Sequence, residues 1–497
     1  MAWVAGIGRA LSRSTLIVLL LSFLAVPWPA VSQPARPGDV VTEARKAAVP
    51  LGESAMVGSL RISVTGFNPD ASAFEEGPET TALPGDNERF IIVTLELDNT
   101  GDVEVEFSAD MELNLRFAGN QGILGPRASF DYCEVENDMH SRETPSLAPG
   151  ESREVNVCTK VLVEDIPSLQ MLATMEPGFD ADVSSAEEVE SGTWFDLGAD
   201  RPFDEGVAAE QVRVAMLVAP EGPASLSEPD VTVTRNETFV VELLDYLPDV
   251  TDEITGDESW HYQRPTSGEV YVSASMRVTN VGDRPASFHP ILMAEDGVGS
   301  GGGVHSRLYE HEMGMLLPGG SSLWTGQWSM PEEGSRALVV TTLGVPEAGM
   351  SWMLLDPAEP FAWEAPEVSP APPAEMDDPE LAVPPGDEAA VGGFNVSLTR
   401  SPELDDDRYR GHTMTVTYTG DSVSEVIEWW SVTITPEPAG CLSRGGGSLY
   451  LPGASTIMEI RCPVAFDTST PLRLDIGIAG TPAGEEPRGL FAREPEE

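Results

Sequence analysis

Residues 270–283 read VYVSASMRVTNVGD, and residues 318–321 read PGGS. In the first stretch, every second residue from Val270 to Val278 is small or apolar and the residues between them are mostly polar. A period of two predicts a β-strand with one buried face. The strand ends in an Asn-x-Gly-Asp turn, and a Pro-Gly-x-Ser turn follows it. This pair of turns decides the fold because the chain contains it three times.

The other two copies flank this one along the chain. Residues 99–102 (NTGD) precede residues 149–152 (PGES), and residues 418–421 (YTGD) precede residues 452–455 (PGAS). An internal repeat predicts tandem modules. Short alternating strands separated by turn signals predict β-sandwiches, so the expected fold class is all-β. We expect no amphipathic helix of about twelve residues or more, residues 207–218 being the nearest candidate.

The repeats divide the chain into three units joined by two linkers. Unit two contains the stretch quoted first, and units one and three lie on either side of it. The Pro-rich composition of the second linker predicts an extended, semi-rigid spacer. The predicted segments are a signal peptide (1–32), a polar lead-in (33–55), unit one (56–198), a linker (199–228), unit two (229–364), a Pro/acid-rich linker (365–389) and unit three (390–497).

The first residues have the pattern of a secretory signal. Arg9 and Arg13 precede an apolar stretch at 16–26, and Ala-Val-Ser at 30–32 fits a cleavage site. The apolar stretch is shorter than the roughly 20 residues that span a bilayer. We therefore expect a secreted or envelope-associated protein without a membrane span in its mature chain. An uncleaved N-terminal anchor remains the alternative.

The chain is strongly acidic, with 28 Lys+Arg against 82 Asp+Glu and a net charge of −54. Binding to a phosphate backbone requires Lys and Arg, so a nucleic-acid partner is not expected. Three interpretations of the acidity stay open. They are adaptation to high salt, in which screening removes self-repulsion, a solubilising exterior without a specific role, and weak calcium binding.

The four cysteines fit an exported protein. Cys133 and Cys158 lie in unit one, and Cys441 and Cys462 lie in unit three. Three connectivities are possible, and pairing within each unit is favoured, each bond closing a loop of roughly 20–25 residues. Cys158 and Cys462 are expected at equivalent positions, where unit two has Gln327 or Trp328 instead.

The turn motifs carry a family resemblance. The chain resembles a bacterial family of secreted, immunoglobulin-like "domain of unknown function" modules related to the mycobacterial immunoprotective extracellular antigen. The matching pieces are residues 99–102, 149–152 and 165–167 (DIP) in unit one and 280–283, 318–321 and 328–331 (WSMP) in unit two. Unit three departs from the pattern at Tyr418 and Pro463. The resemblance implies an immunoglobulin-like sandwich and an extracytoplasmic, non-enzymatic role.

A few residues are candidates for a site, each with a structural alternative. His305 and His311 lie near Glu310 and Glu312, a set that suits zinc or belongs to an exposed loop. The turn motifs themselves are expected to be structural, because Asn and Gly tolerate positive φ and Pro presets φ for the first corner of a turn. The acidic run of Asp405, Asp406 and Asp407 suits calcium or is a solvated charge run. Trp429 and Trp430 offer one exposed ring to a sugar or protein if they lie on a strand, or both are packed.

The sequence contains no recognisable catalytic constellation. No G-x-S-x-G motif occurs, and the six histidines are scattered. We therefore expect no enzyme activity and no cofactor, although calcium stays possible. The expected function is a non-catalytic binding or structural role in the cell envelope or medium, with an unknown protein or glycan as partner. The alternatives are a calcium- or carbohydrate-binding adhesion or accessory protein and an extracellular hydrolase.

Overall fold

The structure, a computed structural model, describes most of the chain after residue 36. Antiparallel β-sheets dominate it, which confirms the all-β class. The described residues are 37–71, 87–106, 113–125, 139, 146–175, 186–225, 232–252, 269–301, 315–342, 349–356, 361, 363–374, 376, 378–406, 408–424, 427–434, 439–445, 449–463, 471–478 and 487–493.

Unit one packs two sheets face to face. One sheet has the order β1-β2-β3-β8, the other begins β10-β9-β5-β6, and β4 pairs with β7. Apolar side chains of both sheets, such as Leu95 and Met171, form one buried core. The strands are β1 Ser54–Val57, β2 Leu60–Asn68, β3 Glu88–Asn99, β4 Val105–Glu106, β5 Leu113–Ala118, β6 Ile123–Leu124, β7 Ser146–Leu147, β8 Ser152–Leu162, β9 Gln170–Met175 and β10 Thr193–Asp196.

Unit two repeats this arrangement. The sheet β11-β12-β13-β17 covers a second sheet containing β14, β15, β16, β18 and β19. The apolar residues of the predicted strand, from Val270 to Val278, are all buried in the core between them. The strands are β11 Val233–Arg235, β12 Phe239–Leu247, β13 Glu269–Asn280, β14 Ala286–Ala294, β15 Val298–Gly301, β16 Met315–Leu316, β17 Ser321–Pro331, β18 Arg336–Thr342 and β19 Ser351–Leu354.

Unit three has a five-stranded sheet, β20-β21-β22-β27-β25, and a four-stranded sheet, β24-β23-β28-β29. Its core also contains Ile291, Met293 and Trp352 of unit two, so the two units share buried apolar surface. The strands are β20 Glu388–Val391, β21 Phe394–Arg400, β22 Tyr409–Tyr418, β23 Ile427–Ile434, β24 Ala439–Gly440, β25 Leu442–Gly445, β26 Leu449–Tyr450, β27 Ser455–Pro463, β28 Leu472–Ile478 and β29 Arg488–Phe491.

Among the residues that the structure describes, three α-helices lie outside these sheets, namely α1 Pro37–Lys46, α2 Ala186–Ser191 and α3 Glu205–Val218. The longest of them, α3, has 14 residues and contains the candidate at residues 207–218. Its first turn is capped by the carboxylate of Asp204, which accepts from the Gly206 N–H at 2.9 Å. In α1, Val41 and Arg45 are four residues apart and both are buried, so this helix docks one face on unit one.

The Pro-rich segment at 365–374 is hydrogen-bonded to unit three. Ala374 N–H donates to Ala390 O at 2.9 Å, and Ala390 N–H donates to Pro372 O at 2.7 Å. The buried Asn395 amide accepts from Ala371 N–H at 2.8 Å and donates to Ser369 O at 2.9 Å. This segment therefore lies beside β20, to which one isolated parallel bridge between Pro373 and Ala390 joins it.

The two turns of each repeat touch one another. In unit two, Asn280 is fully buried, and its Nδ2 donates to Arg284 O and to Leu316 O, both at 2.8 Å. Its Oδ1 accepts from Gly282 N–H at 2.9 Å. Asn99 makes the same three bonds in unit one, at 2.7, 2.9 and 3.0 Å. The asparagine thus ties its own turn to the strand that leads into the Pro-Gly-x-Ser turn.

Positive φ is confined to one glycine of each turn pair. Gly150, Gly319 and Gly453 of the Pro-Gly-x-Ser turns have φ of 78°, 77° and 79°. The Gly-Asp turns need glycine for a different reason, because a Cβ on Gly282 would lie 3.2 Å from the Asn280 Oδ1.

The disulfide prediction is confirmed for unit three, where Cys441 and Cys462 are bonded. Cys158 is also disulfide-bonded, and its predicted partner Cys133 lies outside the described residues. Counting from the turn serine, Trp328 and Cys462 both lie at the seventh position and Cys158 at the sixth. Adjacent strand positions face opposite sides. The indole of Trp328 therefore corresponds to Cys462, and the expected equivalence of Cys158 and Cys462 is wrong.

Candidate functional site

Units one and two are joined by a short strand pairing. Strand β6 of unit one pairs antiparallel with β16 of unit two, matching Ile123 with Leu316 and Leu124 with Met315. The N–H of Leu317 donates to Gly122 O at 2.8 Å. The pairing merges one sheet of unit one with one sheet of unit two. Below, the strand that the preceding unit contributes, here β6, is called the donor strand. The strand of the following unit that pairs with it, here β16, is called the acceptor strand, and neither name refers to hydrogen-bond donation.

Units two and three are joined in the same way. Donor strand β15 pairs with acceptor strand β26, matching Val298 with Tyr450 and Gly299 with Leu449. The N–H of Leu451 donates to Gly297 O at 2.9 Å, as Leu317 does at the first junction. Both acceptor strands lead directly into a Pro-Gly-x-Ser turn, so the repeated turn is part of the contact between neighbouring units.

Small residues allow this close approach. A Cβ on Gly122 would lie 2.6 Å from the Gly320 Cα, and a Cβ on Gly319 would lie 2.6 Å from the Ala208 Cβ of α3. At the second junction, a Cβ on Gly453 would lie 2.7 Å from Pro366. The turn glycines of units two and three are thus buried against the chain that precedes each unit.

A groove lies where units one and two meet. Its cavity volume is about 770 Å³. Its walls are the end of β8, the start of β17, parts of β12 and β13, and one side of α3. This is within the range of about 300–1,000 Å³ that is typical of ligand pockets. We call this cavity the junction groove.

The junction groove has an apolar rim. Its side chains Val163, Val214, Val218 and Leu323 are 39%, 47%, 50% and 55% exposed. Leu217, on the last turn of α3, is 71% exposed. Apolar side chains clustered at one concave site are typical of binding surfaces, whereas scattered ones are not. The rim therefore offers contact area to an apolar partner group.

The charges at the junction groove are largely paired. Glu242 and Arg277 form an ion pair at 2.6 Å, and Glu210 pairs with Arg213 at 2.6 Å. The hydrogen bond from Arg213 lowers the pKa of Glu210. Glu164 adds an acidic group to the lining. The junction groove thus combines an apolar contact surface with a small excess of acidic groups.

Two buried charged groups lie beneath the junction. Arg45 of α1 donates from Nε to Gln170 Oε1 at 2.9 Å and from Nη2 to Gly119 O at 2.9 Å. Burial lowers the pKa of Arg45 to about 9. Burial also raises the pKa of Asp165 to about 7, although a hydrogen bond from the Gln121 N–H opposes this. Both groups hold the loop at 119–122 that carries the donor strand.

Aromatic rings complete the pocket around the Arg45 guanidinium. Its central carbon lies 4.1 Å from the ring centre of Phe203 and 5.1 Å from that of Trp194. Cation–π contacts of this kind are stabilising when the cation is desolvated. Helix α1, the loop at 119–122 and the chain entering α3 are therefore fixed together beside the first junction.

The two described aspartates of the predicted acidic run have hydrogen-bond partners within the chain. Asp405 forms a bidentate contact with Arg400 and accepts from Gly411 N–H at 2.8 Å. The Arg400 hydrogen bonds lower the pKa of Asp405 to about 2. Asp406 accepts from the N–H groups of Arg408 and Tyr409 at 2.7 and 2.8 Å. These contacts order the loop before β22.

The remaining predicted site residues lie outside what the structure describes. Asp407, His305 and His311 are not among the described residues. Trp429 and Trp430 lie on β23, as the strand prediction required, but their side chains are not described. Within the described residues, no group of three or more His, Cys, Asp or Glu is placed to hold a metal ion.

Sequence reasoning did not identify the junction groove. Its donor and acceptor strands at the first junction have only two residues each, too few to show a period. One signal was present, since Leu323 breaks the alternation of β17, in which Trp324 and Trp328 face the core. In the described part of the chain, no helix is both long and apolar enough to cross a membrane.

Comparison with known proteins gives no assignment. No protein-family profile matches the chain, and no curated protein matches it. A conserved hypothetical protein of Bacillus anthracis is similar at 17% identity, covering 25% of this chain and 88% of that one, with a TM-score of 0.18. The exo-chitosanase CsxA of Amycolatopsis orientalis is similar at 8% identity, covering 87% and 79%, with a TM-score of 0.19. TM-scores this low support neither a fold nor a function for this chain.

Proposed function

We propose that this chain is an exported, non-catalytic binding or structural protein of the cell envelope or medium, and that it binds a partner at the junction groove. The observation that carries the proposal is the apolar rim of that groove, which α3 and β17 hold exposed where two units are joined by strand pairing. An apolar cavity with a few fixed polar groups is the usual form of a binding site.

The rest of the chain is consistent with a scaffold for this surface. Repeated sandwiches joined by strand pairing give fixed spacing between surfaces, and such folds take their function from the sites placed on them. The turn motifs support membership of the secreted immunoglobulin-like family named above. The signal-like first residues and the disulfide at Cys441–Cys462 support export, since disulfides persist in oxidising compartments.

Charge and shape together suggest the partner. With a net charge of −54, the chain repels acidic macromolecules over a Debye length of about 10 Å or less. The rim side chains are apolar, and Glu164 and the net charge favour a cationic neighbour. The partner expected is therefore a protein segment or a glycan-bearing protein with an apolar contact group beside basic residues.

The test compares two substitutions, each of which replaces an exposed apolar side chain by glutamate. Leu323→Glu places a carboxylate on the groove rim, and Ile457→Glu places one on the exposed face of β27, where Ile457 is 64% exposed. Both variants and the unaltered protein are immobilised and titrated with solubilised envelope proteins and medium of the producing organism. Bound partners are quantified by mass spectrometry.

Burying one leucine contributes roughly 1.5–3 kcal/mol, so Leu323→Glu should weaken the binding of a groove partner by about tenfold or more. Ile457→Glu should bind as the unaltered protein does. Equal binding by both variants would remove the groove from the proposal. Turnover of a glycan, ester or peptide by the purified protein would contradict the non-catalytic role.

A further inference from the structure

The loop at 119–122 is the part of unit one that holds unit two. Gly122 O accepts from Leu317 N–H at 2.8 Å, and Gln121 O accepts from Ser321 N–H at 3.0 Å. These two hydrogen bonds lie on either side of the Pro-Gly-x-Ser turn of unit two. A movement of this loop therefore breaks the first junction.

The same loop also holds helix α3. Asn120 Oδ1 accepts from the N–H of Asp204, the residue that caps α3, at 3.0 Å. The side chain of Gln121 accepts from Gln211 Nε2 at 2.5 Å, and both glutamines line the junction groove. The loop thus fixes the helix and the sheet that face each other across that groove.

The carboxyl group of Asp165 lies directly beneath this loop. Asp165 is only 2% exposed, and a Cβ on Gly119 would lie 2.1 Å from its Oδ1. In the described part of the chain, this carboxyl group accepts one hydrogen bond, from Gln121 N–H at the long distance of 3.4 Å. An ionised carboxylate can accept several. Water reaches this group fully only if the loop moves away from it.

The nearest charges act on Asp165 in opposite directions. Glu164 precedes it in the chain and disfavours its ionised form, whereas Arg45 on α1 favours that form. The Arg45 guanidinium, however, donates its hydrogen bonds to Gln170 and to Gly119 O, on the other side of the loop. Burial is the largest influence and raises the pKa of Asp165 to about 7, although the hydrogen bond from Gln121 opposes it.

The remaining elements packed here add no buried charge. The loop at 119–122 has no ionisable side chain. The chain entering α3 contacts this segment through a hydrogen bond from Arg201 N–H to Pro167 O at 2.7 Å. Its charged side chains are exposed, namely Asp200, Arg201 and Asp204. The protonation of Asp165 is therefore coupled chiefly to whether the loop covers it.

We propose that Asp165 is a pH-dependent switch for the first junction, whose neutral carboxyl group lets the loop at 119–122 hold unit two and α3, and whose ionisation drives the loop away. A carboxyl group with a higher pKa in the closed state favours that state at low pH. The advantage is lost as the pH rises from about 4, the ordinary pKa of the group, to about 7. The junction groove changes with the loop that lines it, but the switch does not depend on a partner.

The experiment reads the opening of the junction by residue-resolved hydrogen exchange. Protection factors of the Leu317 and Ser321 amides are measured from pH 4 to pH 8, after correction for the intrinsic pH dependence of exchange. Asp165→Asn keeps an oxygen for Gln121 N–H but does not titrate. Asp200→Asn is the matched control, because it removes the same charge from an exposed aspartate nearby.

In the unaltered protein and in Asp200→Asn, protection of both amides should fall about tenfold per pH unit between about pH 4 and pH 7 and then level off. In Asp165→Asn it should not depend on pH over this range. At pH 7, low concentrations of urea should hardly change this exchange, since local openings expose little surface. Protection that is independent of pH in the unaltered protein, an unchanged slope in Asp165→Asn, or a urea dependence as steep as that of β3 would overturn the proposal.

Gly119→Ala tests the switch without titration. The added Cβ collides with the Asp165 carboxyl group, so the loop should be displaced and protection of Leu317 reduced already at pH 4. Gly222→Ala is its control, because a Cβ there would meet no atom within 4 Å. Equal protection of Leu317 in both variants would show that the loop does not need to cover Asp165, and would overturn the proposal.

Discussion

Replacing Asn280 by alanine tests the role of the asparagine that joins the two turns. The change removes two hydrogen bonds donated at 2.8 Å and one accepted at 2.9 Å. Each contributes about 1 kcal/mol to stability, so the expected loss in unit two is roughly 3 kcal/mol. One of the carbonyls left without this partner belongs to Leu316 of the acceptor strand, so the first junction should weaken too.

Hydrogen exchange read by mass spectrometry is the suitable assay, because a protein of several units need not unfold in one step. Peptides from β13 and β17 should exchange about a hundredfold faster in Asn280→Ala, as a loss of about 3 kcal/mol requires. Asn68→Ala serves as control, since Asn68 is exposed and accepts one hydrogen bond, from Asp70 N–H at 3.1 Å. If both variants exchange at the same rate, the asparagine does not hold the turns together.

Three further outcomes are expected. Burial raises the pKa of Asp165 from 3.8, its ordinary value in an unfolded chain, to about 7 in the folded protein. As the pH rises, the unfolded chain therefore loses this proton first, and roughly 4 kcal/mol of stability should disappear between about pH 4 and pH 7. In denaturant titrations Asp165→Asn should lack this loss, and an unchanged pH profile would contradict the assignment. Asn395→Ala removes two hydrogen bonds between the buried Asn395 side chain and the Pro-rich segment. It should lower the free energy of unfolding by about 2 kcal/mol and make that segment susceptible to limited proteolysis. Molar salt should raise the melting temperature, because it screens the repulsion among the acidic groups of the chain. A melting temperature that does not depend on salt would contradict high-salt adaptation.

The sequence predicted the elements whose pattern is long and periodic. Strand β13 alternates because its face from Val270 to Val278 is buried in the core, and the structure confirms this, while Tyr271, Ser275 and Arg277 on the other face are partly or fully exposed. The turn pairs located the three repeats for a similar reason, since proline, glycine and asparagine have narrow conformational roles. These features depend on neighbours close in the chain.

The features that were missed depend on contacts between distant residues. Helix α1 was assigned to a polar lead-in because its buried position at Arg45 is charged. Contacts with residues distant in the chain, among them Gln170, Phe203 and Trp194, make that burial favourable. Helix α3 exposes Val214 and Leu217 and so lacks a clear polar face. The sequence therefore did not reveal that these helices flank a junction.

For the same reason, the sequence did not predict the candidate site. The junction groove is built from the end of β8, the start of β17 and one side of α3, which come from separate parts of the chain.

One strand-pairing geometry joins all three units, through β6 with β16 and β15 with β26. The N–H groups of Leu317 and Leu451 test it most directly, because each donates to a carbonyl of the preceding unit. Residue-resolved hydrogen exchange at about pH 4 should show both amides protected to a similar degree as the central strands β13 and β22. If either amide exchanges at the rate of an exposed loop while those strands stay protected, the strand pairing at that junction does not exist in solution.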